Sequence, residues 1–70
     1  MNEEELNNRF TYHPPKDDIQ VAKYEGIRNA GKAFAEFLVD NCPESRELSL
    51  AITNLEQAVM WANASLARNE

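Results

Sequence analysis

A pair of prolines, Pro14 and Pro15, most constrains how this chain can fold. Each proline fixes its own φ angle, lacks a backbone N–H and restricts the residue before it, so a helix cannot continue through this point. The surrounding residues 8–16 also hold two aromatic rings, an imidazole and two cations within nine positions. Rigid groups of this kind outside regular secondary structure are typical of a binding surface. We therefore expect an extended binding segment over residues 9–16, after a flexible acidic N-terminus over residues 1–8.

The first long helix is predicted over residues 18–40. Asp17 is a good N-cap residue, and Gln20 follows three positions later, as in a capping box. We expect Asn41 to end the helix in a left-handed conformation, since Pro43 follows it. Apolar residues at helical spacing predict the buried stripe, which consists of Ile27, Ala30, Phe34, Phe37 and Leu38, with Ile19 and Lys23 extending it towards the N-terminus.

A second helix is predicted over residues 43–68, with Pro43 in its first turn. Its apolar residues alternate steps of four and three, which is the spacing of a heptad seam; they are Leu48, Ile52, Leu55, Val59, Ala62 and Leu66. Because the link between the helices is short, we expect antiparallel neighbours. The predicted fold is all-α: an antiparallel two-helix hairpin within a domain over residues 9–70, with an extended N-terminal segment.

A chain of 70 residues is marginally stable by itself, and small scaffolds usually add disulfides, a metal or oligomerisation. Cys42 is the single cysteine and His13 the single histidine, so we expect neither a disulfide nor a metal site. Met60 and Trp61 lie partly off the seam, and an exposed pair of this type is typical of an interface. We therefore expect a homo-oligomer. The alternative is that Trp61 covers the hairpin beneath the proline segment.

The net charge of −5 and the run of three glutamates at positions 3–5 argue against binding to duplex DNA or RNA and to anionic membranes. The chain has no apolar run of about 18 residues, and its first residues do not resemble a signal peptide. We expect a cytoplasmic protein without a cofactor.

Two catalytic interpretations fail on their chemistry. Residues 26–33 spell most of a phosphate-binding P-loop, but Ala33 stands where magnesium binding requires Ser or Thr. His13 could act as a base, with Ser45, Ser49 or Cys42 as the nucleophile, yet no spacing in the sequence assembles such a group. We therefore do not expect an enzyme.

Two cations of the first helix are candidates for contacts to an anionic ligand, although their spacing alone favours ordinary ion pairs. Arg28 and Lys32 are four residues apart and share one helix face. They could hold phosphates while an aromatic ring stacks on a base, an interaction worth about 1–3 kcal/mol per base. The alternative is ordinary surface ion pairs with Glu25 or Glu36. Arg46 lies at the start of the second helix. It could contact a phosphate, or it could form a salt bridge beside a capped helix end.

A series of short motifs runs along the chain: YHPPK at 12–16, SRELSLAIT at 45–53, LE at 55–56, AVMWANA at 58–64 and ARN at 67–69. In sequence and order they resemble the phage anti-CBASS nucleotide-sponge family, over about residues 8–69. The same helical hairpin domain occurs in a sponge that blocks the Thoeris defence system.

The resemblance implies a small helical protein that assembles into hexamers and sequesters cyclic oligonucleotide second messengers without cleaving them. Cyclic dinucleotides such as cGAMP bind between paired protomers, and some members hold cyclic trinucleotides at separate pockets. An infecting phage thereby prevents activation of CBASS effectors in the cytoplasm of its bacterial host. The alternative function is a small helical adaptor that binds a host protein through Met60 and Trp61.

The resemblance also implies roles for individual residues. Tyr12 takes the role of the base-stacking aromatic, with Phe10 as its substitute, and Arg28 contacts phosphate, with Lys32 as the second choice. The expected pocket edge consists of His13, Pro14 and Lys16. The second-helix motif contributes possible contacts to a second ligand or to a neighbouring protomer, through Arg46, Ser49 and Thr53.

Overall fold

The computed structural model describes all 70 residues and contains three helices and no strands: α1 (Glu3–Phe10), α2 (Asp18–Asn41) and α3 (Arg46–Asn69). The predicted all-α class is confirmed, and α2 and α3 pack together as an antiparallel hairpin. Each of these two helices is about 36 Å long at 1.5 Å per residue. The protomer measures 45 × 31 × 13 Å, so in its thinnest direction it is a single layer of helices.

Residues 3–10 form a helix, where the sequence led us to expect a flexible N-terminus over residues 1–8. Asn2 caps α1, because its side-chain oxygen accepts a hydrogen bond from the Glu5 backbone N–H at 2.8 Å. Acidic residues fill the first turn of α1 and Arg9 lies in its last turn, an arrangement that complements the helix dipole. Arg9 and Phe10 therefore belong to α1, and the extended segment, here called the arm, is confined to residues 11–17.

The start of α2 agrees with the prediction, and its end does not. Asp17 caps α2 by accepting a hydrogen bond from the Gln20 N–H at 2.8 Å. Asn41 is the last residue of the helix rather than a left-handed terminator, since no residue of the chain has a positive φ angle. Its side-chain amide donates to the Phe37 carbonyl at 2.8 Å, one turn earlier.

The α3 helix begins three residues later than predicted. Ser45 is its N-cap and accepts a hydrogen bond from the Leu48 N–H at 3.1 Å. Pro43 therefore lies in the link, outside the first turn. The capping hydroxyl decides the boundary because it satisfies a backbone donor that would otherwise have no partner at the helix start.

The seam between the two helices is partly as predicted. Every predicted seam residue of α3 is half-buried. The predicted stripe of α2 is right at Ile27 and Leu38, which are half-buried, but wrong at Phe34 and Phe37, which are 52% and 61% exposed. The other shielded residues of α2 are Gln20, Tyr24, Gly31 and Ala35. No apolar side chain in the protomer is fully buried.

Gly31 marks a point of close approach between α2 and α3. A Cβ atom added there would lie 2.6 Å from Cγ2 of Val59, closer than real Cβ contacts. Val59 cannot readily turn aside, since a valine in a helix strongly prefers one rotamer. The absence of a side chain at Gly31 therefore allows the two backbones to approach.

One ion pair joins the helices at the end away from the link. Lys23 Nζ lies 2.8 Å from Glu70 Oε2, and this hydrogen bond holds the pKa of the Glu70 carboxyl below its usual value. Both side chains are substantially exposed, so solvent screening keeps the contribution of the pair to stability small.

The two glycines of α2 provide a matched test of the close approach. Gly31→Ala should lower the free energy of unfolding by about 1–2 kcal/mol, because the cost of overpacking exceeds the gain of about 1 kcal/mol in helix propensity. Gly26→Ala should be neutral or stabilising, since nothing lies within 4 Å of a Cβ at that position. Thermal unfolding at one fixed protein concentration compares the two variants. Equal stability of the variants would contradict the packing described for Gly31.

Candidate functional site

A groove lies where the arm crosses one side of the hairpin. Its volume is about 370 Å³, and all three segments contribute to its walls. We call it the arm groove, and it is lined by Tyr12, His13 and Pro15 of the arm, Tyr24 and Arg28 of α2, and Asn63, Ala64 and Ala67 of α3.

A second groove continues along the same side of the hairpin and is called the middle groove. It has a volume of about 450 Å³ and shares Arg28 and Asn63 with the arm groove. Lys32, Glu56 and Met60 also line it, so its far end carries charges of both signs. Each groove falls within the range of roughly 300–1,000 Å³ that is typical of small-molecule sites.

Arg28 and Lys32 have no ion-pair partner within the protomer. The single ion pair of the chain joins Lys23 to Glu70, and neither groove cation takes part in a side-chain hydrogen bond. Pairing of these cations with Glu25 or Glu36 was the alternative interpretation of the sequence, and it is wrong for the protomer. An unpaired guanidinium and an unpaired ammonium one helical turn apart can donate hydrogen bonds to phosphate oxygens.

The aromatic and imidazole groups of the arm are held differently. Nε2 of His13 lies 2.8 Å from the Asn8 carbonyl, to which it must donate a hydrogen bond because a carbonyl can only accept one, and this bond ties the arm to α1. Tyr12 is 81% exposed and its side chain makes no hydrogen bond, so its ring is free to stack on a planar ligand. The groove therefore combines a free aromatic face with a free cation.

Five residues that line the arm groove were not predicted as site residues from the sequence: Pro15, Tyr24, Asn63, Ala64 and Ala67. Tyr24 lies one helical turn before Arg28, and this spacing is the signal that would have placed it beside that cation. Asn63 interrupts the apolar pattern of α3, and its side-chain oxygen is buried without a hydrogen-bond partner. A buried acceptor of this kind is costly unless a partner satisfies it.

Other predicted site residues lie outside the two grooves. Phe10 is in the last turn of α1 and is 84% exposed, while Pro14 and Lys16 belong to the arm but do not line its groove. Arg46, Ser49 and Thr53 are at the opposite end of α3. Ser49 lines a separate cavity beside the link, about 21 Å along the helix from Asn63 at 1.5 Å per residue.

The opposite side of the hairpin carries an apolar cleft of about 230 Å³, here called the apolar face. Trp61 is 67% exposed and lines neither groove, so the idea that it covers the hairpin beneath the prolines is wrong. Helical geometry places Trp61 one turn after Ala58, whereas Met60 lies on the other side, in the middle groove. The apolar face is lined by Ile27, Ala30, Gly31, Phe34, Leu55, Ala58, Val59 and Ala62.

The chain shows neither a membrane-spanning helix nor a cluster of metal ligands. None of the three helices combines the length and the hydrophobicity needed to cross a bilayer. No three His, Cys, Asp or Glu side chains come together in a geometry that could hold a metal ion.

Comparison with known proteins identifies the family. Neither the curated proteins nor the solved structures gave a match. One family model, described as the Acb2/Tad1 hairpin domain, matches residues 2–67, which include α1, the arm, α2 and nearly all of α3. The match confirms the resemblance seen in the short motifs and suggests a sponge-type role against bacterial defence. The chain therefore belongs to the Acb2/Tad1 hairpin-domain family.

Proposed function

We propose that this protein is a phage anti-defence sponge that binds cyclic oligonucleotide second messengers, without cleaving them, in the cytoplasm of the infected bacterium. Its ligands would be cyclic dinucleotides such as cGAMP, and cyclic trinucleotides as a second class. Sequestration would keep CBASS effectors inactive. The observation that carries the proposal is the unpaired Arg28 beside Tyr12 and Tyr24 in the arm groove.

The lining of the groove matches the chemistry of a cyclic dinucleotide, which presents two phosphodiesters and two flat bases. The guanidinium of Arg28 can bind one phosphate through two parallel hydrogen bonds. Lys32, one turn further along α2, can bind the same or the second phosphate as a point charge. The exposed ring of Tyr12 offers a stacking surface that tolerates any base.

Binding without cleavage is supported by the groups that surround the ligand site. The arm groove is lined by one imidazole but by no serine, cysteine or carboxylate that could serve as a nucleophile or orient a base. A sponge then acts by mass action: it must hold the messenger below the level that activates the effector, which requires tight binding and many copies.

Self-association is supported by the surface of the protomer. The protomer exposes 5666 Å², whereas a compact monomer of 8.0 kDa would expose about 4,500 Å². The excess of about 1,200 Å² is comparable to the roughly 800 Å² that each partner buries in a standard interface. We propose that a second copy of the chain covers the apolar face and that repetition of such contacts builds the hexamer implied by the resemblance.

Assembly would also complete the ligand sites. The arm groove is open to solvent along one side in the protomer, so a paired protomer could close it and enclose the ligand from both sides. Arg46, Ser49 and Thr53 are too distant to serve the arm groove. We propose that they contact a neighbouring protomer or a second ligand, such as a cyclic trinucleotide.

The oligomeric state tests the proposed self-association. Light scattering should give a stable homo-oligomer, with six copies of the 8.0 kDa chain as the expected stoichiometry. Phe34→Glu should shift the protein towards smaller species, because it places a charge in the apolar face. Asn29→Glu is the matched control: it adds the same charge on the exposed side of α2 that points away from α3, and it should leave the mass unchanged. A monomer that remains monomeric at micromolar concentration would instead favour an adaptor that uses Trp61 to bind a host protein.

Titration calorimetry with a panel of cyclic di- and trinucleotides tests the binding itself. Wild-type protein should bind at least one cyclic dinucleotide, and the ligand should be recovered intact by chromatography after long incubation. Tyr12→Ala should weaken binding by roughly tenfold to a hundredfold, because it removes stacking worth about 1–3 kcal/mol per base. Phe10→Ala removes an aromatic that is equally exposed but lies outside the groove, and it should bind as the wild type does. Absence of heat with every ligand would refute the proposed function.

A further inference from the structure

Gln20 is the single buried residue of the protomer, with 3% of its surface exposed. Its side-chain oxygen accepts a hydrogen bond from the Lys16 N–H of the arm at 2.8 Å. Its side-chain nitrogen donates a longer hydrogen bond of 3.4 Å to the Leu66 carbonyl of α3. One carboxamide on α2 thus links the arm to α3.

The arm has few other attachments. Pro14 and Pro15 have no N–H, and no backbone group of residues 12–15 takes part in a hydrogen bond. At its ends, the Thr11 N–H donates to the Asn7 carbonyl and Asp17 caps α2. Between these ends, the arm is tied to α1 by the ring of His13 and to the hairpin by the Gln20 contact with Lys16. The Tyr12 side chain makes no hydrogen bond of its own. Its position over the groove therefore depends on these two tethers.

The location of Gln20 relates it directly to the ligand groove. Tyr24 lies one turn after Gln20 on α2, and Arg28 lies one turn after Tyr24. Gln20 joins the arm, α2 and α3, and these same three segments line the arm groove. Burial strengthens both hydrogen bonds and makes loss of either costly.

We propose that Gln20 is the positioning residue of the arm groove: it fixes the arm across α2 and α3 so that Tyr12 stands beside Arg28 before the ligand arrives. This inference rests on the proposed ligand binding. A site held in its bound form loses less conformational entropy when it binds. The carboxamide is suited to this position, because one end must accept a hydrogen bond and the other must donate one. A glutamate would bring a second acceptor towards the Leu66 carbonyl, and a methionine would provide neither group.

A double-mutant cycle separates positioning from general support of the fold. Gln20→Met, which keeps a similar volume, should weaken cyclic dinucleotide binding by about tenfold, the effect of losing one buried hydrogen-bonded group. In a Tyr12→Ala background the same change should cause little further loss, because the ring that Gln20 positions is already absent. An equal loss in both backgrounds would overturn the inference, since Gln20 would then act on the fold as a whole.

A ligand-free measurement keeps the inference separate from the proposed function. Hydrogen exchange at the Lys16 amide should be slow in the wild type and much faster in Gln20→Met, with the amides in the middle of α3 unchanged. Gln20→Glu retains the acceptor for Lys16 and should show intermediate protection, which provides a second variant if Gln20→Met does not fold. Unchanged exchange at Lys16 in both variants would refute the tether. Failure of the wild type to bind any cyclic nucleotide would instead refute the proposed function. The exchange at Lys16 would still test the tether, because that measurement needs no ligand.

Discussion

The close approach of α2 and α3 at Gly31 is the packing contact on which the rest of the protomer depends. Two small residues, Gly31 and Ala35, lie on the α2 side of the seam, and the single-layer hairpin buries no apolar side chain completely. The large rings of Phe34 and Phe37 are left outside the seam. A hairpin of this kind gains little from burial within one chain, and this limit is the physical basis of the self-association proposed above.

The single-layer hairpin also gives the molecule two sides with different chemistry. One side carries the apolar face, with Phe34 and Ala58, and the other carries Arg28 and Lys32 between aromatic and polar groups. Ligand binding and self-association can therefore use separate surfaces of the same two helices. The arm adds a third wall only on the cationic side, which is why the aromatic ring of Tyr12 and the guanidinium of Arg28 line one groove.

The sequence predicted the hairpin because its strongest signals are local. The Asp17 cap and the heptad spacing of α3 depend on nearby residues, and both were confirmed. The α2 stripe was only partly right, because Ile27 and Leu38 are shielded as predicted while Gly31 and Ala35 are shielded where Phe34 and Phe37 were expected. Periodicity ranks residues by hydrophobicity, so it could not show that two small residues allow the helices to approach. The α1 helix was missed because its capping by Asn2 lies within a run that is also typical of a disordered acidic terminus. Tyr24 could have been placed beside Arg28 from their helical spacing, whereas Asn63 could not be assigned without the fold, since only the packing of α3 against α2 brings it to the groove.

A small chain with a tethered arm suits the proposed role, in which the protein removes its ligand by binding it and not by turnover. A sponge has no turnover, so the number of messenger molecules removed cannot exceed the number of sites that the infected cell synthesises. If copies share ligand sites as proposed, each ligand requires fewer residues than a pocket enclosed by one chain would. Tight binding must then come from an arrangement that is already in place before binding. In this chain the prolines restrict the arm, and Gln20 and His13 hold it against the helices.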